Sequence, residues 1–219
     1  MAIIKTVTEK SYELEELRKL IRAGKAAEVL KVGDQIYITF DGKEVPYDVI
    51  GIDAEKLVNK NLKHSVTIQA HELIEERPFD TTGRYGNNCW RTSELREYLS
   101  SQEFYNRYAD LVPYVAAVEK ENTDGENTEE LFFILSKEEY ETETTPYAYY
   151  DKEIKRVKAD ADGYTDWHWT RSANRGNSYN TWNVNAGGNV NNNNAINANR
   201  CAPDCVIQLD NGYPIGAAL

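Results

Sequence analysis

Trp167-His-Trp-Thr-Arg-Ser172 and Arg200-Cys-Ala-Pro-Asp-Cys-Val-Ile207 bracket a tract, residues 174–199, that reads Asn-Arg-Gly-Asn-Ser-Tyr-Asn-Thr-Trp-Asn-Val-Asn-Ala-Gly-Gly-Asn-Val-Asn-Asn-Asn-Asn-Ala-Ile-Asn-Ala-Asn. Twelve of its 26 residues are asparagine, against eight in all the rest of the chain, so the tract has a composition of its own. Trp182, Val184, Val190 and Ile196 interrupt the amides. Polar low-complexity segments lack such regular anchors, and a folded tract is expected. In Asn183-Val184-Asn185 and Asn189-Val190-Asn191 the amides alternate with valine, which in a strand sends asparagines to solvent and valines to the core.

Outward from the tract, the composition sets limits. The 219 residues, 41% hydrophobic and 11% aromatic, suffice for one buried core, organised as a segment over residues 1–60 and a domain over 61–219. A net charge of −11 without a basic stripe excludes a general nucleic-acid surface. No apolar run approaches the roughly 20 residues that span a bilayer, and Met-Ala-Ile-Ile-Lys-Thr-Val-Thr has no signal-peptide core. Cytoplasmic synthesis without membrane insertion is expected. Cys89, Cys201 and Cys205 are too few, and odd in number, for a disulfide scaffold. Cys201-x-x-x-Cys205 has no second thiol pair, and His64, His71 and His168 are scattered, so no metal site and no cofactor are expected.

The first sixty residues read as a helix and a hairpin. Ser11 is placed to cap a helix with Leu14, Leu17, Leu20 and Ile21 on its inner face, stopping at Gly24. Ile36, Ile38 and Phe40 alternate as a strand, Asp41-Gly42 supplies a turn, Val45, Tyr47 and Val49 return, and Pro46 suggests an edge. Residues 66–71 alternate as a half-buried strand, and 77–90 are irregular and turn-rich. Ser93 caps a helix with Leu95, Tyr98 and Leu99 inside, extended by Tyr105 and Tyr108. Residues 112–118 read as a strand, 119–130 as a solvated acidic loop, 131–135 as a buried strand and Ser136 to Glu139 as a capping box. Residues 147–162 have no clear period.

Specific flanks around a permissive, asparagine-rich middle resemble the variable proteins of diversity-generating retroelements, whose C-terminal domain has a C-type-lectin fold of the formylglycine-generating-enzyme-like branch. The resemblance is best over residues 167–207. In that family reverse transcription miscopies adenines, and an AAC or AAT codon randomised at its first two positions yields most side-chain types and never a stop. The resemblance implies an α+β C-type-lectin-like domain preceded by a small helix-hairpin segment. It implies a hypervariable, calcium-independent receptor-binding protein of phage or prophage origin rather than an enzyme. Its N-terminal part would attach to a virion or cell-surface assembly, and its variable face would meet a cell-surface protein or glycan. No Glu-Pro-Asn or Trp-Asn-Asp triplet of the calcium-binding lectins is present.

The ligand-binding set implied is Asn174, Asn177, Tyr179, Asn180, Asn183, Asn185, Asn189, Asn191, Asn193, Asn197 and Asn199, with Asn192 and Asn194 read as scaffold. Tyrosine beside adaptable amides is also the chemistry of antibody loops. From Trp167 to Pro203 there is no acid and no lysine, only Arg171, Arg175 and Arg200. At least two of Trp167, Trp169 and Trp182 are expected in the core, and Arg171 is expected to be a structural hydrogen-bonding hub. Two alternatives stand beside this reading: a static lectin-like scaffold whose asparagines only form turns, and a cysteine-dependent oxidase of the formylglycine-generating type.

Overall fold

The computed structural model describes residues 3–5, 11–141 and 143–208. Strands β1 (Ile3–Lys5) and β2 (Ser11–Glu13) precede helix α1 (Leu14–Arg22), which buries Leu14, Leu17 and Ile21 as the helical period requires. The helix starts later than expected: Ser11 lies in a strand, and the N-cap is Glu13, without a side-chain cap bond. It stops where glycine permits, since Gly24 takes φ +70° and its N–H reaches Ile21 O at 2.9 Å. After α2 (Ala26–Val29) come β3 (Gln35–Phe40) and β4 (Lys43–Ile52), joined through Asp41 and Gly42, both at positive φ.

β4 is an interior strand, which corrects the edge expectation. A two-residue turn makes Phe40 and Lys43 a hydrogen-bonded pair, so by alternation Tyr37 and Pro46 are a non-bonded one and Pro46 turns its missing N–H away from β3. On that side β5 (Val66–Ala70) has already ended, at Ala70 opposite Tyr47. Neither neighbour needs the absent donor. β5 is also buried on both faces instead of one: Gln69 donates to Tyr140 Oη at 3.0 Å and accepts from Tyr150 Oη.

Downstream lie β6 (Ile74–Pro78), α3 (Glu94–Leu99) capped by Ser93 Oγ, and α4 (Gln102–Arg107) capped by Ser101 Oγ. The strand expected over 112–118 is a 3-10 turn, Val112–Tyr114, initiated by Pro113. The expected acidic loop is a hairpin, β7 (Val118–Glu121) with β8 (Asn127–Glu130), because its charges are neutralised in pairs. Lys120 meets Glu55 at 2.7 Å and Glu130 meets Arg96 at 2.7 Å, which lets both inward side chains be buried. β9 (Phe132–Phe133) is buried, and Ser136 with Glu139 forms the capping box of α5 (Lys137–Tyr140). Two 3-10 turns, Ala148–Tyr150 and Glu153–Arg156, occupy the stretch without a period.

The tract region contributes β10 (His168–Ala173), β11 (Asn180–Val184), β12 (Val190–Asn194), β13 (Ala198–Cys201) and β14 (Asp204–Ile207). The fold is mixed α+β, mostly sheet. One seven-stranded sheet has the order β2-β1-β3-β4-β5-β14-β9 and therefore runs across residue 60. A five-stranded sheet has the order β12-β11-β10-β13-β6. One core joins α1, α3 and α4 to Ile36, Ile68, Trp90 and Trp169; a second gathers Phe133, Tyr140, Tyr147, Tyr150, Val184 and Val206.

Candidate functional site

The frame of the site is the start of β10. Trp169 is fully buried, packs on Phe79 with ring centroids 5.8 Å apart, and donates Nε1–H to Arg77 O at 2.9 Å. Trp167 and Trp182 are only half-buried, so one indole of the three is core where at least two were expected. Arg171 is the hub: its guanidinium donates to Ile134 O at 3.0 Å and to the Glu139 carboxylate. Burial alone would raise the Glu139 carboxyl, but Arg171 and Lys120 hold it well below its ordinary range. These groups line a cavity of about 540 Å³ with Glu55, Tyr147 and Arg175. A second cavity of about 290 Å³ shares Arg171 and Arg175 and reaches Asn88, Cys89 and Ser178.

The tract itself divides three ways. Asn189, Asn191, Asn197 and Tyr179 face solvent, while Asn174, Asn177, Asn180, Asn185 and Asn193 are half-buried. Asn183 and Asn199 are buried, 0% and 7% exposed, which corrects their assignment as contacts. The alternation argument fails at Asn183 because β11 is covered on both faces: Asn183 shares a side with Trp169 on β10, and Val184 enters the second core. Val190 is half-buried rather than buried, since β12 is the outer strand.

Several amides hold backbone. Asn174 Oδ1 accepts from Gly176 N–H at 3.0 Å, Asn177 Oδ1 from Tyr179 N–H at 3.0 Å, and Asn185 Oδ1 from Gly187 and Asn189 N–H at 2.9 and 3.0 Å. These are Asx turns. On β12, Asn191 Oδ1 accepts from Asn192 N–H and Asn193 Oδ1 from Asn194 N–H, while Asn180 and Asn192 join their side chains at 2.7 Å across the strands.

A neighbour read only as irregular from the sequence completes the surface. Asn88, on the loop over residues 80–88, donates Nδ2–H bonds to the carbonyls of Asn174, Asn177 and Asn180 at 3.3, 2.8 and 2.9 Å. Tyr85 lies against Tyr179 with centroids 5.0 Å apart, and its carbonyl accepts from Ile196 N–H at 3.2 Å. Gly86, at φ +84°, lets this loop close on residue 195: a Cβ there would lie 2.3 Å from Asp80 O. The signal available was Gly83-Arg-Tyr-Gly86, an exposed aromatic between turn glycines.

Cys201 and Cys205 are remote from solvent, whereas Cys89 is half-buried. Burial pushes Cys201 up to about 12, and burial and then the Asp204 charge push Cys205 well above its ordinary value. Among the described residues no group of three or more His, Cys, Asp or Glu side chains is arranged to hold a metal, and no helix is long and apolar enough to cross a membrane.

The architecture is thus an α+β domain, with two large sheets and the β7–β8 hairpin among the described residues, that hangs the polar β11–β12 hairpin and its loops from buried anchors. Residues 59–209 match the family described as a domain of unknown function (DUF6273), and the chain belongs to that family. No curated protein and no solved structure matches it.

Proposed function

We propose that the chain is a ligand-binding protein of the diversity-generating-retroelement type, with a C-type-lectin-like domain and no catalytic role. Its specificity resides in the outward side chains of the tract. One observation carries the reading: Trp169, Val184, Ala195 and Cys201 are buried to 1% exposure or less, whereas Tyr179, Asn189, Asn191 and Asn197 on the same stretch face solvent. Side chains that leave the core can vary without altering its packing. The pairing of β5 with β14 closes the family segment on itself, so the tract hangs on a frame that the segment's own ends complete. The N-terminal helix-hairpin segment attaches to a virion or cell-surface assembly, and the tract meets a cell-surface molecule.

The Asx turns at Asn174, Asn177 and Asn185 favour a second reading, a static lectin-like scaffold. The oxidase alternative draws no support from thiols held protonated in the core, because the thiolate is the reactive form. Joint replacement of Tyr179, Asn189, Asn191 and Asn197 tests the choice. Each change is expected to shift stability by no more than about 0.5 kcal/mol and to alter which bacterial cells the displayed domain adheres to, whereas Trp169→Ala costs about 3–5 kcal/mol. If the fourfold variant unfolds as readily as Trp169→Ala, the amides are turn formers and the static scaffold takes its place. A neighbouring reverse-transcriptase gene with a template repeat differing only at adenines bears on diversification directly.

A further inference from the structure

Arginines in this chain are mostly paired: Arg77, Arg91, Arg96, Arg107, Arg171 and Arg200 each meet a carboxylate. Among the described residues Arg22, Arg84 and Arg175 have no carboxylate partner; Arg22 ends helix α1, whereas Arg84 and Arg175 lie on loops at the tract. Arg175 donates to Thr123 O at 2.7 Å, and Arg84 sits over the Tyr85 ring at 5.0 Å. Between Thr81 and Ser93 there is no acid; of the flanking carboxylates, Asp80 is buried beneath the loop and bonded through Oδ1 to its backbone, Glu94 is engaged by Thr81 and Asp124 by Arg91. In a chain of net charge −11 this is a basic spot.

The same spot gathers exposed apolar surface. Tyr85, Tyr179 and Ile196 are 38%, 37% and 36% exposed and are joined by the ring contact and the backbone bonds described above. The loop under Tyr85 is stiff, because Asp80 Oδ1 accepts from Thr82 and Asn87 N–H and Asp80 N–H donates to Ala195 O. A rigid aromatic beside an unpaired arginine is the composition of a protein-interface hot spot, and it loses little entropy on binding.

We propose that the 81–88 loop is a constant part of the ligand-binding face, with Arg84 and Tyr85 as anchors, and that the partner it fits is an acidic protein segment. This rests on the tract being the binding face. Charge complementarity selects the occupant: an acidic segment is attracted here and repelled by the rest of the molecule.

The test uses the full chain and immobilised probes: a glutamate–tyrosine random copolymer, a lysine–tyrosine copolymer and polygalacturonate. The glutamate–tyrosine copolymer is expected to bind, more weakly at higher salt, and Arg84→Glu and Tyr85→Ala are expected each to weaken it at least tenfold. Tyr164→Ala, at a 74% exposed tyrosine outside this face, leaves binding unchanged. Melting temperatures confirm that the variants fold. No binding of the acidic copolymer, equal binding of the lysine copolymer, or preference for polygalacturonate overturns the acidic-protein assignment. If Tyr179→Ala with Asn197→Ala abolishes binding while Arg84→Glu and Tyr85→Ala retain it, the loop is not an anchor and the tract reading survives. If the loop variants lose binding and the tract variants keep it, the tract reading fails instead.

Discussion

Asn183→Leu is expected to stabilise the protein. Asn183 lies on β11 opposite Trp169 and Asn191, is 0% exposed, and among the described residues neither its Oδ1 nor its Nδ2 has a hydrogen-bond partner. Leucine keeps the branched skeleton and puts methyl groups where the amide has oxygen and nitrogen. A buried polar group without a partner costs about 1–3 kcal/mol, and burying apolar carbon in its place adds about 0.8 kcal/mol per group. The larger methyls oppose this by about 1–3 kcal/mol if the neighbours cannot move. A net gain of about 1–2 kcal/mol corresponds to a rise in melting temperature of roughly 2–8 °C for a chain this size. Asn183→Val, which is smaller, separates crowding from polarity. Calorimetric unfolding of both variants is the assay, with ligand adhesion unchanged because the position has no surface. A fall in melting temperature for both refutes the reasoning, since it means that the amide is satisfied inside the fold.

Asn185→Ala, which removes the acceptor for Gly187 and Asn189 N–H, is expected to cost about 1 kcal/mol, whereas exposed Asn189→Ala stays within about 0.5 kcal/mol; urea unfolding distinguishes them, and equal costs contradict the turn assignment. Burial, and then the Lys158 charge, lower His168 from 6.5 to about 3. Between those values the unfolded chain holds a proton that the folded chain does not. Stability therefore falls as pH drops from about 6.5 toward 3, by at most about 1.4 kcal/mol per pH unit from this group. His168→Phe should flatten the slope of stability against pH, and an unchanged slope removes His168 from the account. Gly86→Ala should cost about 2–5 kcal/mol from positive φ and the clash with Asp80 O; an unmoved melting temperature means that the loop does not close on Ala195.

Local chemistry was legible at several single residues, although Ser11 does not cap α1 and Pro46 does not mark an edge. Asp41-Gly42 makes its turn, Ser93 and Ser136 cap their helices, and Gly24 ends α1. What stayed hidden depends on partners distant in sequence. β7 and β8 read as solvated because Lys120 and Glu130 are charged, whereas Glu55, Glu139 and Tyr147 around Lys120 and Arg96 and Trp90 around Glu130, all distant in sequence, make their burial tolerable. Alternation assigns side chains to faces but does not say what covers each face, which is why Gln69 and Asn183 are buried against expectation. The Tyr85 anchor was hidden for the same reason, since its contact with Tyr179 spans most of the domain.

The twelve asparagines therefore do not form one class. A codon argument treats them alike, whereas the geometry separates them by what their amides hold. Asn174, Asn177 and Asn185 accept backbone N–H two residues on, a bond that aspartate or serine can replace and tyrosine or an aliphatic cannot. Asn183 and Asn199 occupy buried positions; among the described residues neither amide atom of Asn183 and not Nδ2 of Asn199 has a partner, while Asn199 Oδ1 accepts a long bond from Asn193 Nδ2 at 3.5 Å, so an apolar side chain loses little at either. Asn189, Asn191 and Asn197 project into solvent; Asn191 accepts from Asn192 N–H and Asn197 donates to Asn193 Oδ1 at 2.7 Å, but both bonds lie at the surface, where other side chains can replace them at little cost. Diversification acting on such a tract leaves a graded record: small polar residues at the turns, apolar ones at the buried strand positions, and unrestricted types at the three outward sites. A uniform spread of residue types over all twelve positions among functional copies contradicts this division, because it requires the turns and the strand interior to tolerate what their hydrogen bonds and packing forbid.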